Sequence, residues 1–152
     1  MEDFDVASAA VNAWLTPGHK TASSYGKHAE HLAIAELLKR GHRVAVPVVD
    51  DDGVDIVVNY RTRVQVKSSN RSTLEPVSGY SYGRLAWSSK RVWTEADIFL
   101  LYGNSRWWVV PASVLSGCGR TFSIYTEGTR QKNSRMATVA EYEDAWDVFD
   151  AA

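Results

Sequence analysis

One stretch constrains this chain more than any other: Val54 to Lys67, VDIVVNYRTRVQVK. Its apolar residues alternate with polar ones, the period of a half-buried β-strand, and Tyr60-Arg61-Thr62 interrupts the alternation as a tight turn. The pattern predicts two antiparallel strands, 54–60 and 62–68. Centred on Arg61, the hairpin sets Ile56 opposite Val66 and Val58 opposite Val64. Those four residues then share one apolar face. The other face carries Asp55 opposite Lys67, with Gln65 on the adjoining diagonal. The chain must therefore cover one face of this hairpin with a second layer and leave a carboxylate, an amide and an ammonium on the other.

The remaining sequence supplies that layer. Ser23 and Ser24 are candidate N-caps for a helix running to Arg40, with Lys39 and Arg40 in its last turn and Gly41 as its stop. His42 to Val48 reads as a first strand, and Asp50-Asp51-Asp52-Gly53 as an acidic turn leading into the hairpin. Residues 69–94 read as a long Ser-, Gly-, Tyr- and Arg-rich segment too polar for a core. Asp97 to Tyr102 and Trp107 to Val110 form a second hairpin around Gly103-Asn104-Ser105, with one Trp of Trp107-Trp108 facing inward and the other outward. Pro111 opens a short helix to Leu115, Arg120 to Tyr125 reads as a last strand, 128–136 as a basic loop, and the acidic end as a terminal helix. Val6 to Leu15 reads as a short helix or arm. The order α-β-β-β…β-β-α describes one small mixed α/β domain over 1–152, a length that suits a single core.

Charge bears on what such a domain meets. The net charge is −1, from 17 Lys and Arg against 18 Asp and Glu. Three acids fall in the first five residues and five in the last twelve, leaving a body of net charge +7 between acidic ends. A body of that sign attracts polyanions. The aromatic and aliphatic content is too high for disorder, and no apolar run approaches the roughly 18–20 residues of a membrane span. The acidic MEDFD start and the single Cys118 give the expectation of a cytoplasmic protein without an internal disulfide or a cysteine-rich zinc site. His19, His28, His31 and His42 lack a metal-ligand pattern.

Asp55, Gln65 and Lys67 together suit phosphodiester hydrolysis. A carboxylate can hold a divalent metal, an amide or backbone oxygen can complete its coordination, and a lysine can orient water or neutralise a developing oxyanion. The alternative is an exposed Asp–Lys pair of little consequence. A second acid stands out on the first helix, where Glu30 shares a face with Ala33, Ile34 and Leu37. A carboxylate in an apolar stripe needs a cation or donors. Glu30 either reaches toward Asp55 and Lys67 or pairs with a nearby Lys or Arg.

The order of these residues resembles the PD-(D/E)xK nuclease superfamily, and most nearly its small endonucleases of the group I intron homing type. Gly26-Lys27-His28-Ala29-Glu30, Leu37 to Gly41, Val44-Ala45-Val46-Pro47, Gly53-Val54-Asp55 and Val64-Gln65-Val66-Lys67 carry the likeness. Ala96-Asp97-Ile98-Phe99, Tyr102 and Trp107 to Pro111 extend it. It spans about residues 24–115, with an arm at 1–22 and an extension at 116–152 outside it. The resemblance implies a restriction-endonuclease-like core with a mixed central sheet, and Mg²⁺-dependent cleavage of DNA, with Mn²⁺ as a substitute metal. It implies Asp55, Glu30, Gln65 and the Val66 carbonyl as metal ligands, and Lys67 as the residue assisting the nucleophile. Gln65 stands where the superfamily usually has an acid, so one metal, or one completed by substrate phosphate, is expected. It also implies a homodimer or larger homo-oligomer, nucleoid-associated in a bacterial or phage setting. Two alternatives remain: a Holliday-junction-resolvase-like nuclease, and an inactive DNA-binding or assembly module on the same fold.

Candidate phosphate contacts are Lys27, Arg61 and Arg63 near the core, Arg71, Arg84, Lys90 and Arg91 in the 69–94 segment, and Arg130 and Lys132 in the basic loop. Tyr80, Tyr82 and Trp87 lie among them, and basic residues interleaved with aromatics suit nucleic-acid contact. Each of these stretches is equally readable as a solvated loop.

Overall fold

The hairpin lies in the middle of a five-stranded sheet. The structure, a computed structural model, describes residues 22–49, 53–69, 84–89, 93–125 and 141–151. The arm at Val6 to Leu15, the Asp50-Asp51-Asp52 turn, the 128–136 loop and most of the 69–94 segment lie outside these residues.

Helix α1 spans Ala22–Lys39. Ala29, Ala33 and Leu37 are fully buried along one side, at the spacing of successive helical turns. Gly41 ends the helix at φ +84°, where a side chain would be strained. Its N–H donates to the Leu38 carbonyl (2.9 Å) and that of His42 to Leu37 (3.1 Å), the paired bonds of a Schellman stop. Ser23 and Ser24 lie inside the first turn rather than capping it.

The strands are β1 Val44–Ala45, β2 Ile56–Val58, β3 Thr62–Ser69, β4 Arg84–Ser88, β5 Ile98–Gly103, β6 Arg106–Pro111 and β7 Thr121–Tyr125. The main sheet runs β1-β2-β3-β5-β6. Among the described residues only β3 and β5 pair in parallel, with Val64 beside Ile98 and Gln65 beside Phe99, so the sheet is mixed as expected. β4 and β7 form a separate antiparallel ribbon. The short helix α2, Ala112–Leu115, follows Pro111.

Side-chain alternation on β3, β5 and β6 divides the core in two. Val64, Val66, Ile98, Leu100, Tyr102 and Val109 meet α1 on one face of the sheet. Phe99, Leu101, Trp108 and Val110 meet Leu85, Trp87, Phe122 and Ile124 of the ribbon on the other. The order of layers is thus helix, sheet, ribbon. All six β5 residues are buried, because this strand is covered on both faces.

Three expectations are corrected. The 69–94 segment contributes a core strand, β4, whose Leu85 and Trp87 are buried and paired with Ile124 and Phe122. Neither Trp107 nor Trp108 is an outward ring. Trp108 is buried under the ribbon, and Trp107 packs on the helix side against Tyr102 (ring centroids 4.6 Å apart) and Trp146 (5.6 Å). The acidic end is not an α-helix. Residues 142–144 bond β6 through Val109 N–H to the Tyr142 carbonyl (2.9 Å) and Asp144 N–H to the Trp107 carbonyl (3.0 Å). Asp144 takes φ 51°, incompatible with a helix, and one 3₁₀ turn follows, Trp146–Phe149. That turn drives Trp146 and Phe149 into the helix-side core.

This extension is held by a two-pronged ion pair, Arg106 Nε to Glu143 Oε1 (2.6 Å) and Nη2 to Oε2 (2.7 Å). The Arg106 hydrogen bond holds the Glu143 carboxyl below its ordinary value of 4.5, and the guanidinium charge adds to this against the opposing effect of burial. A depressed folded value means the pair's contribution is complete above 4.5 and is lost as pH falls through the lower folded value. Thermal melts across acid pH are therefore expected to show Glu143→Gln losing stability less steeply than wild type below this point. Parallel curves would show that the pair does not couple to folding.

Candidate active site

The β2–β3 turn places the candidate residues. Asn59 and Tyr60 both have positive φ, 52° and 65°, and Arg61 N–H closes the turn onto the Val58 carbonyl at 3.2 Å. Asn tolerates this left-handed conformation better than most residues. Asn59 is also tied to the chain before β1, since its Oδ1 accepts from Arg43 N–H at 3.0 Å. β2 therefore stops at Val58, and the hairpin centres on Tyr60, not Arg61. The observed register is Ile56 with Val64 and Val58 with Thr62.

This corrects the expected pairing of Asp55 with Lys67. The register differs by two residues, so the faces survive while the cross-strand neighbours change. Asp55 is instead bound beside Gln65. Its N–H donates to the Val64 carbonyl (2.9 Å), and its Oδ2 accepts the Val66 N–H at 2.7 Å. The carboxylate thus takes over the ladder where the main chain of β2 ends. In an extended chain the Val66 carbonyl points to the same side of β3 as its N–H.

Gln65 is only 7% exposed, and its Oε1 is buried with no hydrogen-bond donor among the described residues. An acceptor left in that state costs about 1–3 kcal/mol. Lys67 is half-buried two residues further along the same face. Among the described residues no carboxylate forms an ion pair with it.

Glu95, in the loop before β5, was not anticipated. A Cβ built on Gly53 would overlap the Glu95 carboxylate and lie 3.2 Å from Gln65 Nε2. Gly53, at φ +68°, is thus the close-packed point where the chains at 53, 65 and 95 meet. No local signal marks Glu95. It reaches this place because β5 runs parallel to β3.

Glu30 is half-buried on α1, paired with Lys27 Nζ at 2.6 Å. The helix lies on the Val64–Val66 side of the sheet, with Gly26 close to Ser68. Among the described residues no three His, Cys, Asp or Glu side chains gather into a metal-holding group. Asp55, Gln65 and Glu95 offer two carboxylates and an amide. This all-oxygen set, with an unsatisfied buried acceptor, fits a hard divalent cation such as Mg²⁺, which commonly takes one or two carboxylates and keeps several waters.

The basic residues divide unevenly. Arg61 is exposed at the hairpin tip, about 20 Å along β3 from Lys67 at about 3.3 Å per residue. Arg63 is exposed but held by Asp97, with Nη2 to Oδ1 at 3.0 Å, while Asp97 Oδ2 also accepts the Arg63 N–H at 2.8 Å. Those hydrogen bonds hold the Asp97 carboxyl below its ordinary range, against the opposing effect of burial. Lys27 is exposed and paired with Glu30. The Arg84 backbone lies in β4, whereas Arg71, Lys90, Arg91, Arg130 and Lys132 lie outside the described residues. Trp87 does not face a ligand. It is buried, and its indole N–H donates to the Tyr102 carbonyl at 3.0 Å.

No family model matches the chain, and no curated protein sequence does. Its architecture does match a solved structure, and the fold is that of a bacterial homing endonuclease. That protein is I-Ssp6803I, which superposes with a TM-score of 0.65 over 84% of this chain and 90% of its own length, at 23% sequence identity. Among the described residues no helix is long and apolar enough to cross a membrane.

Proposed function

We propose that the chain is a metal-dependent endonuclease hydrolysing DNA phosphodiester bonds, acting as a homo-oligomer. The observation that carries the reading is the junction of β2 and β3. There a carboxylate locked onto the sheet backbone stands beside a buried amide whose oxygen meets no donor among the described residues, and Lys67 follows on the amide's face. The fold shared with a homing endonuclease supports it.

Asp55 and Gln65, with the Val66 carbonyl, would hold Mg²⁺ or Mn²⁺, whereas Glu30, on the α1 side of the sheet and engaged by Lys27, would not share that cation. Bound there, the cation would offset charge on the scissile phosphate and make a nearby water more acidic. The protein's own part is positional. The Val66 N–H fixes the Asp55 carboxylate in place. Gln65 brings an oxygen without adding charge that would repel the phosphate. The Lys67 ammonium, with no carboxylate partner among the described residues, orients the attacking water and neutralises the developing oxyanion. The +7 body draws the polyanion in.

A Mg²⁺ titration with supercoiled plasmid and a four-way junction, repeated in Mn²⁺, tests this. The expected result is metal-dependent nicking or linearisation of the plasmid. Cleavage confined to the junction would make the enzyme a structure-selective resolvase. Binding without cleavage in either metal would overturn the nuclease reading in favour of a DNA-binding module.

A further inference from the structure

We propose that Glu95 is a ligand of the same divalent cation, supplying the second negative charge of the site from the loop before β5. This assignment deepens the nuclease reading and rests on it for its chemistry, though its test needs no DNA.

The argument begins with charge. Asp55 is one carboxylate, and one of its oxygens is already committed to the Val66 N–H. Gln65 adds an oxygen but no charge. A single partly used carboxylate and a neutral amide make a weak site for a small, strongly hydrated cation. Glu95 stands where the missing charge is needed. Its carboxylate lies against Gly53, within the space a side chain there would fill, and the Gln65 amide borders the same space through its Nε2, with Oε1 on the same amide group. Glu95 Oε1 is buried.

Gln65 gives the independent sign of a ligand. It is more than nine-tenths buried, yet its Oε1 meets no donor among the described residues. Buried polar oxygens of this kind are normally satisfied. A cation between this oxygen and Glu95 would satisfy it. The absence of a side chain at Gly53 makes room for the Glu95 carboxylate. Glu30 cannot be exchanged for Glu95 in this argument, because Glu30 sits on the helix side and is engaged by Lys27.

The test is a Mn²⁺ titration of the full chain without DNA, followed by the electron paramagnetic resonance signal of free Mn²⁺. Wild type is expected to bind Mn²⁺, and Glu95→Gln to bind it about 10–100-fold more weakly. Glu36→Gln removes the same charge from α1, where Glu36 pairs with Arg40 at a distance from the site, and is expected to stay within about twofold of wild type. Thermal melting establishes that each variant is folded. Should Glu95→Gln fail to fold, Glu95→Asp withdraws the carboxylate by one methylene and is expected to weaken binding severalfold. Wild-type affinity in a folded Glu95 variant, or no Mn²⁺ binding by wild type, would overturn the proposal. Loss of affinity in Glu95→Gln from a wild-type protein that cuts no DNA would uphold the site and remove the nuclease reading. DNA cleavage with unchanged Mn²⁺ affinity in Glu95→Gln would do the reverse.

Discussion

Asp55→Asn is expected to lower metal-dependent DNA cleavage by about 10³-fold, the scale of losing several kcal/mol of electrostatic stabilisation, while the protein remains folded. The choice of asparagine matters because Asp55 has two duties. Its Oδ2 accepts the Val66 N–H where β2 no longer supplies a carbonyl, and an amide oxygen can still do so. Its negative charge, which an amide lacks, serves the cation. Alanine removes both and leaves the Val66 N–H without its acceptor, at a cost of about 1–3 kcal/mol in stability. Lys67→Ala removes only a cation with no carboxylate partner among the described residues. It is expected to cost about 10²–10³-fold in rate with little change in melting temperature. Gel-based cleavage rates read beside thermal melts separate the two contributions. Wild-type rates in folded Asp55→Asn and Lys67→Ala proteins would remove both residues from the chemistry.

The largest effect on stability is expected at Trp87. Its ring is 1% exposed, lies edge-on to Trp108 with centroids 5.5 Å apart, and stacks on Phe122 at 6.4 Å. Gly103 on β5 comes so near that a Cβ there would sit 3.4 Å from the Trp87 ring. Trp87→Ala would open a cavity between sheet and ribbon and leave the Tyr102 carbonyl without its indole donor. The expected loss is about 3–5 kcal/mol, a large share of the roughly 5–15 kcal/mol that holds a domain of this size together. Urea unfolding measures it. The milder Trp87→Phe should fold and bind DNA with wild-type affinity at matched salt, because the ring faces the core. Wild-type stability in Trp87→Ala would contradict this packing, and weakened DNA binding in folded Trp87→Phe would return the ring to the nucleic-acid surface.

How far the fold was legible follows from how locally each feature is encoded. The apolar face of Ile56, Val58, Val64 and Val66 is written in alternation alone, so it survived an error of two residues in the register. The error came from Asn59, which falls within the alternating run but is a turn-favouring residue at positive φ, held in the turn by its bond to Arg43. β4 was missed because Leu85 and Trp87 are its only large apolar residues amid polar neighbours, and its partner β7 lies far along the chain. The terminal helix failed because acidic residues were read as helical where Asp144 has positive φ and the backbone instead extends β6. Of the candidate site, Asp55, Gln65 and Lys67 could be placed on the hairpin from their own pattern. Glu95 could not, since only the parallel pairing of β3 with β5 carries it there.

The division of the core by the sheet bears on how this protein can change over generations. Residues packed against α1 and those packed against the ribbon meet on opposite sides of β3, β5 and β6 and share few neighbours. Substitutions in separate clusters tend to add, whereas those within one cluster interact. The ribbon side can therefore be repacked while the helix side stays fixed, so new surface could be explored there without rebuilding the whole interior. Gln65 and Lys67 lie on that adaptable side, whereas the Asp55 carboxylate is anchored to the backbone of β3. A lineage of such chains could vary what surrounds the site faster than the carboxylate at its centre.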